Sequence, residues 1–178
     1  VGSAAGLDRV GRDGRIVPVP LRNSMDRAPS ILSLARSNDG AVWVGTFGDG
    51  IYRVDRDGSS RHYGTADGLV AGNVRVMSSA RDGNGIWAGT QRGVVRITDK
   101  GVQMLAGKDL PGGLVTALLD SSDGLWIGTI EGIRVLRGNN VQRLDVDTLG
   151  GGRSVFGFIP IGDAMWITSD RGLYRYRE

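Results

Sequence analysis

Cysteine is absent from these 178 residues. Neither a disulfide framework nor a thiolate metal site is therefore available, and thiols say nothing about redox compartment. A single histidine, His62, excludes metal chemistry built on several imidazoles. No apolar run approaches the roughly 18 residues of a membrane span, and no charged start with a hydrophobic stretch behind it marks a signal peptide. One-sided charge is missing as well. The 22 Lys and Arg alternate along the chain with the 19 Asp and Glu, for a net charge of +3. A nucleic-acid partner would need clustered positive charge, so none is expected.

Aromatic residues make up only 6% of the chain, which makes their placing informative. All four tryptophans, Trp43, Trp87, Trp126 and Trp166, stand at intervals of 44, 39 and 40 residues inside copies of one short phrase. The phrase reads Asp39-Gly40-Ala41-Val42-Trp43-Val44-Gly45-Thr46, then Gly85-Ile86-Trp87-Ala88-Gly89-Thr90, then Asp123-Gly124-Leu125-Trp126-Ile127-Gly128-Thr129. The last copy, Asp163-Ala164-Met165-Trp166-Ile167-Thr168, has drifted. A period near 40 residues with one turn and one aromatic per unit is the signature of a repeat architecture. Glycine supplies 30 residues, more than twice the average share of roughly 7%, at fixed places in each unit and without a Gly-X-Y period. That pattern points to tight turns between short strands.

The second unit sets the phase. Asn73–Ala80, with Val74, Val76 and Ser78 alternating against Arg75, Met77 and Ser79, reads as a first strand, Ile86–Thr90 as a second, Val94–Ile97 as a third and Val102–Leu105 as a fourth. The same cutting predicts Ile31–Ala35, Ala41–Thr46, Ile51–Asp55 and Ser60–Tyr63 in the first unit, and Val115–Leu119, Leu125–Thr129, Ile133–Leu136 and Val141–Leu144 in the third. The last unit has Val155–Ile161, Met165–Thr168 and Leu173–Tyr176, with no fourth strand. Four short antiparallel strands repeated radially make a β-propeller blade. The expected fold is all-β, with units at 23–64, 65–106, 107–145 and 146–178, and a partial unit at 1–22.

That partial unit aligns Val1-Gly2-Ser3 with Val44-Gly45-Thr46, as though the chain were cut just after a tryptophan, and suggests a segment of a longer polypeptide. Arg15–Val19 has the character of a fourth strand and could complete the last unit. However, Leu7–Val10 would then be a surplus third strand, so a slice of a larger ring is the favoured expectation, with five-bladed or oligomeric closure as the alternative. Open strand edges would favour self-association.

Each tryptophan is read mainly as a rigid wedge between neighbouring sheets, where one indole buries about 150–250 Å². A sugar-stacking platform is the competing role. Gly45, Gly89 and Gly128 fit positions of close approach by the adjacent blade, and the Thr46, Thr90 and Thr129 hydroxyls can bind turn amides. Asp39, Asp82 and Asp123 fit the first turn of each unit as acceptors of local backbone bonds. Recurring once per unit, these carboxylates do not form the paired acid and base a glycosidase would need. The Gly150-Gly151-Gly152-Arg153 run lacks the strand, loop and lysine of a phosphate loop. His62 falls in an outer strand, away from any channel. No catalytic constellation, metal or cofactor is expected.

Tyr63-Gly64-Thr65-Ala66-Asp67-Gly68-Leu69-Val70-Ala71-Gly72-Asn73-Val74, followed by Asp82–Thr90 and Gly93-Val94, closely resembles the two-component regulator propeller repeat. The resemblance runs from Val1 to Tyr176, strongest in the second unit and weakest in the fourth, where Ile167-Thr168-Ser169 stands for the usual Gly-Thr pair. It implies a periplasmic ligand-sensing region of a bacterial membrane signalling protein whose membrane helix and kinase or cyclase lie elsewhere. The expected partner is a small molecule, an oligosaccharide or another domain of the same receptor. A carbohydrate-acting propeller enzyme and a purely structural module are the alternatives.

If the first strand of each unit is innermost, the turns from second to third strand share a face with the connections from fourth to first. That face would gather Asp49, Arg92, Glu131, Asp170 and Arg171, with Arg153 near the last inner strand. These positions vary while the phrase repeats, as expected where a rigid scaffold presents adaptable polar groups.

Overall fold

The computed structural model describes residues 1–105, 113–145 and 154–177. Among them are five antiparallel sheets, each a meander in chain order. Sheet I holds β1 (Gly2–Ser3), β2 (Gly6–Val10) and β3 (Ile16–Val19). Sheet II holds β4 (Ile31–Arg36), β5 (Val42–Thr46), β6 (Ile51–Val54) and β7 (Ser60–Tyr63). Sheet III holds β8 (Val74–Ser79), β9 (Ile86–Thr90), β10 (Gly93–Thr98) and β11 (Gly101–Met104). Sheet IV holds β12 (Val115–Ser121), β13 (Gly124–Thr129), β14 (Gly132–Arg137) and β15 (Asn140–Leu144), and sheet V β16 (Val155–Ile161), β17 (Ala164–Ser169) and β18 (Gly172–Tyr176).

The first strands of successive sheets lie side by side and form the hub. The Ser33 hydroxyl donates to the Val74 carbonyl at 3.0 Å, the Ser79 hydroxyl to the Arg36 carbonyl, and the Thr116 hydroxyl to the Val155 carbonyl. The Asp120 N–H returns a bond to the Ser78 hydroxyl at 3.1 Å. Side chains thus tie one inner strand to the next, while backbone ladders stay within each blade.

In each complete interface, the glycine of the phrase makes close packing possible. A Cβ on Gly45 would stand 2.7 Å from the Val74 carbonyl, on Gly89 2.6 Å from Val115 and on Gly128 2.8 Å from Val155. In each case the obstacle is the first residue of the next blade. Gly2 occupies the same place in sheet I, and a Cβ there would meet Ile31. Beside these contacts, Trp43 is buried with Met77, Ile86 and Ile97, Trp87 with Leu118 and Leu125, and Trp126 with Phe158 and Met165. Apolar area removed from water at about 25 cal/mol per Å² makes these seams the main cohesive contacts of the array.

One expectation is corrected. Strict alternation along 73–80 would put Val74, Val76 and Ser78 on one face, but the ladder shifts register between Val74 and Val76. Arg75 is an extra residue, so Val74 shares a face with Met77, and both enter the core shared with Trp43. The same shift recurs at Leu32, Thr116 and Phe156. Of the two arrangements open to Arg15–Val19, completion of the last blade is not the one adopted. Its strand, β3, pairs with β2 inside sheet I, from Leu7 opposite Val19 to Val10 opposite Ile16.

Candidate functional site

The turn from second to third strand is held in the same way in successive blades. Thr46 Oγ1 donates to the Gly50 carbonyl at 2.8 Å and accepts the Asp49 N–H at 3.2 Å. Thr90 repeats this with Gly93 and the Arg92 N–H, at 3.0 Å each, and Thr129 with Gly132 and the Glu131 N–H, at 3.1 and 3.0 Å. In the drifted copy Ser169 takes over, its Oγ accepting the Arg171 N–H at 3.1 Å. A hydroxyl buried in each turn fixes the backbone, and the next side chains project from a rigid frame.

These turns and the fourth-to-first connection do share one end of the array. The Gly50 N–H donates to the Gly72 carbonyl at 2.9 Å, and Asn73 Nδ2 donates to Gln91 Oε1 at 3.0 Å. The Asp-Gly-Leu lead-in is itself structural. Asp67 accepts the Gly64 N–H at 2.9 Å, Gly68 takes the left-handed conformation at φ +95° that a side chain would strain, and Leu69 plugs the Trp43 core. Arg75, Leu32 and Phe156, the bulge residues, are exposed at this same end, because each lies beside the residue that leads into a turn. Sequence periodicity hid them, since a bulge leaves no mark on a strand of ordinary length.

The sequence-derived candidates divide into two groups. Arg92, Glu131 and Arg171 are exposed on their locked turns. Asp49 and Asp170 are engaged locally. The Tyr52 hydroxyl donates to the Asp49 carboxylate, and His62 on outer strand β7 sits against the Asp49 carbonyl with its ring 4.7 Å from that of Tyr52. Burial and the adjoining carboxylate push the Tyr52 hydroxyl well above its ordinary pKa of 10.0, keeping it a donor. Asp170 accepts the Ser154 N–H at 3.2 Å, and its own N–H donates to the Ser154 carbonyl at 3.0 Å. Arg153 and the Gly150–Gly152 run lie outside the described residues. Among the described residues, the candidates stand one or two to a blade.

At the opposite end, a second constellation escaped the sequence reading. Asp39 pairs with Arg53 at 2.7 Å, Asp82 with Arg96, Asp123 with Arg137 at 3.4 Å and Asp163 with Arg177 at 3.3 Å. Each pair is separated by 14 residues, so the signal was present as an Asp and an Arg at fixed spacing in every unit. Each pair clasps the first turn to the third strand, and Arg53 and Arg96 also lie over the Trp43 and Trp87 rings at 5.5 and 5.0 Å. Two depressions open at this end, one of about 450 Å³ beside Asp82, Asp120 and Arg137 and one of about 240 Å³ beside Asp123 and Tyr176. A larger groove of about 640 Å³ separates sheets I and II.

No family model matches the chain, and no curated protein matches it in sequence. Solved structures do match. The extracellular domain of a protein described as a hybrid two-component system from B. thetaiotaomicron aligns over 99% of this chain with a TM-score of 0.79 at 17% identity. Virginiamycin B lyase from Staphylococcus aureus aligns over 98% with a TM-score of 0.73 at 19% identity, and a gluconolactonase from Xanthomonas campestris over 97% with a TM-score of 0.63 at 14%. The chain has the fold of a partial β-propeller. It spans 25% of the first of these proteins, 64% of the second and 65% of the third. At such identities the likeness concerns the fold alone, and the three proteins carry different activities on it. No helix is long and apolar enough to cross a membrane among the described residues.

Proposed function

We propose that this chain is a recognition segment of an extracytoplasmic sensory propeller, binding a small molecule, an oligosaccharide or another domain of its own receptor without chemical turnover. One observation carries the reading: successive blades present a hydroxyl-locked turn at one end, and Arg92, Glu131 and Arg171 project from those turns into solvent. A fixed backbone with variable, exposed charged tips is how a repeat scaffold builds an adaptable binding face. The bulge residues Arg75 and Phe156 add a cation and an aromatic ring at the same end. The likeness to a two-component extracellular domain supports the sensory context.

A thermal-shift screen of oligosaccharides and small metabolites tests the reading, because a ligand that binds only the folded state raises its apparent stability. A hit is expected to lose its effect in the Arg92→Ala, Glu131→Ala, Arg171→Ala triple variant while the unliganded melting temperature stays put. A hit that the triple variant binds equally well, or that the chain converts to product, would overturn it.

A further inference from the structure

Arginine is spent unevenly between the two ends of the array. Arg53, Arg96, Arg137 and Arg177 are each held by an aspartate in the first-turn clasps. At the opposite end Arg75 and Arg92 of sheet III are exposed, and neither side chain makes a hydrogen bond or ion pair among the described residues. Sheet III is packed on both faces, against sheet II through the Trp43 core and against sheet IV through the Trp87 core. Its end is therefore shaped by blades that are both in place.

The bulge accounts for Arg75. The ladder passes from Val74 opposite Thr90 to Val76 opposite Gly89, and the extra residue between them leaves the alternation of the strand. Bulges often re-aim a side chain beside a functional site. Of the equivalent residues on the other first strands, Leu32 and Phe156 are apolar, and Thr116 spends its hydroxyl on the Val155 carbonyl. Arg75 is the charged one.

Other donors accompany it. Asn73, just before β8, donates from Nδ2 to Gln91 Oε1 at 3.0 Å and so ties the start of the hub strand to the tip that bears Arg92. That bond uses the acceptor of Gln91 and leaves its Nε2 as a donor on an exposed side chain. The Arg92 N–H is fixed by Thr90 Oγ1 at 3.0 Å, which holds the tip in shape without a ligand. The turn of sheet II lies alongside, through the Gly50 N–H bond to the Gly72 carbonyl at 2.9 Å. Its Asp49 carboxylate is engaged by the Tyr52 hydroxyl, and Asp67 in the lead-in is engaged by the Gly64 N–H at 2.9 Å. The end of sheet III thus presents two guanidinium groups and an amide, and the charge changes sign only on the next tip, at Glu131.

We infer that this end of sheet III is an anion-binding subsite, taking a carboxylate or phosphate group of the ligand that the turn face recognises. Guanidinium groups offer paired N–H donors in the geometry that carboxylate and phosphate oxygens accept, with bonds roughly twice as strong as neutral ones. The inference rests on the turn-face reading for its context and on Arg75, Gln91 and Arg92 for its chemistry.

The test uses the full chain and two matched pairs of probes at constant ionic strength: trigalacturonate with its methyl ester, and glycerol phosphate with glycerol. At least one anion is expected to raise the melting temperature saturably while its neutral partner does not, and the pair that responds tells carboxylate from phosphate. By calorimetry, Arg75→Gln and Arg92→Gln should each weaken binding about ten-fold, the size of one lost charge-assisted contact, and added sodium chloride should weaken it further. Arg81→Gln, which removes the same charge at the opposite end, should leave it unchanged. Failure of both anions to bind, equal binding of a neutral partner, or full binding to a folded Arg75→Gln chain would overturn the subsite. Neutral probes that bind through Arg92, Glu131 and Arg171 would leave the turn-face reading standing without it. Conversion of a bound anion to product would do the reverse, overturning the non-catalytic reading and keeping the subsite.

Discussion

Trp126 and Trp166 occupy the same place in consecutive sheets and live in different surroundings. Trp126 is 1% exposed because sheet V lies in front of it, and Phe158 and Tyr176 hold its ring at 5.6 and 5.7 Å. Trp166 is only half-buried, and the residues that share its face, Ile159 and Leu173, are 59% and 61% exposed. A blade therefore places its tryptophan but does not bury it; the next blade does. The glycine of the phrase obeys the same rule. Gly128 is squeezed against Val155, while the corresponding residue of sheet V is Thr168, which is exposed and faces no following valine.

The largest expected difference follows from the indoles. Trp126→Ala should cost about 3–5 kcal/mol in a urea melt, the usual range for emptying a fully packed aromatic site. Trp166→Ala should cost less than half of that, since much of its surface already meets water. Equal losses would mean that the tryptophan stabilises its own sheet, and the comparison would fall.

The glycine position sharpens the same contrast at smaller scale. Gly89→Val drives a branched side chain into Val76 and Val115, where even a Cβ would come within 2.6 Å. A cost of about 1–3 kcal/mol is expected from overpacking. Thr168→Val at the matching position should stay within about 0.5 kcal/mol, as surface changes usually do. Denaturant midpoints of the two variants against the parent chain decide it.

Much of this was legible in the sequence because it repeats. The strands, the wedge role of the tryptophans, the close approach at Gly45, Gly89 and Gly128 and the turn-binding hydroxyls all follow from local chemistry read four times over. The drift at Thr168-Ser169 read as weak resemblance, yet Ser169 keeps the hydroxyl that its turn needs, and Thr168 stands where no close contact forbids a side chain. What stayed hidden depends on pairing between segments. The bulges at Leu32, Arg75, Thr116 and Phe156 are a property of register, which composition does not encode. The engagement of Asp49 by Tyr52, and so its removal from the freely presented charges, depends on how a turn folds back on its own third strand.

The Asp–Arg clasps give the smallest effect and a sign that can be worked out. Asp39 is held below its ordinary pKa of 3.8 by the Ser37 hydroxyl, then by the Ala41 N–H and Arg53. Asp82 is lowered by Arg96 first and then by the Asn84 N–H. For Asp123, burial pushes the carboxyl up, but the Ser121 hydroxyl, the Trp126 indole and Arg137 together outweigh it, and the net shift is downward. A carboxylate with a lowered folded-state pKa contributes stability that is present above the unfolded value and is lost as pH falls through the folded one. Stability should therefore fall as pH drops from about 5 to below 3.8, the ordinary value of these groups. Each clasp is half open to solvent, so the loss per site should not exceed about 1 kcal/mol. Asp82→Asn should remove its share of that slope and lower stability at neutral pH by the same amount, no more than about 1 kcal/mol. A variant that melts with the same acid dependence as the parent would show that the clasp positions the first turn without contributing to the stability of the blade.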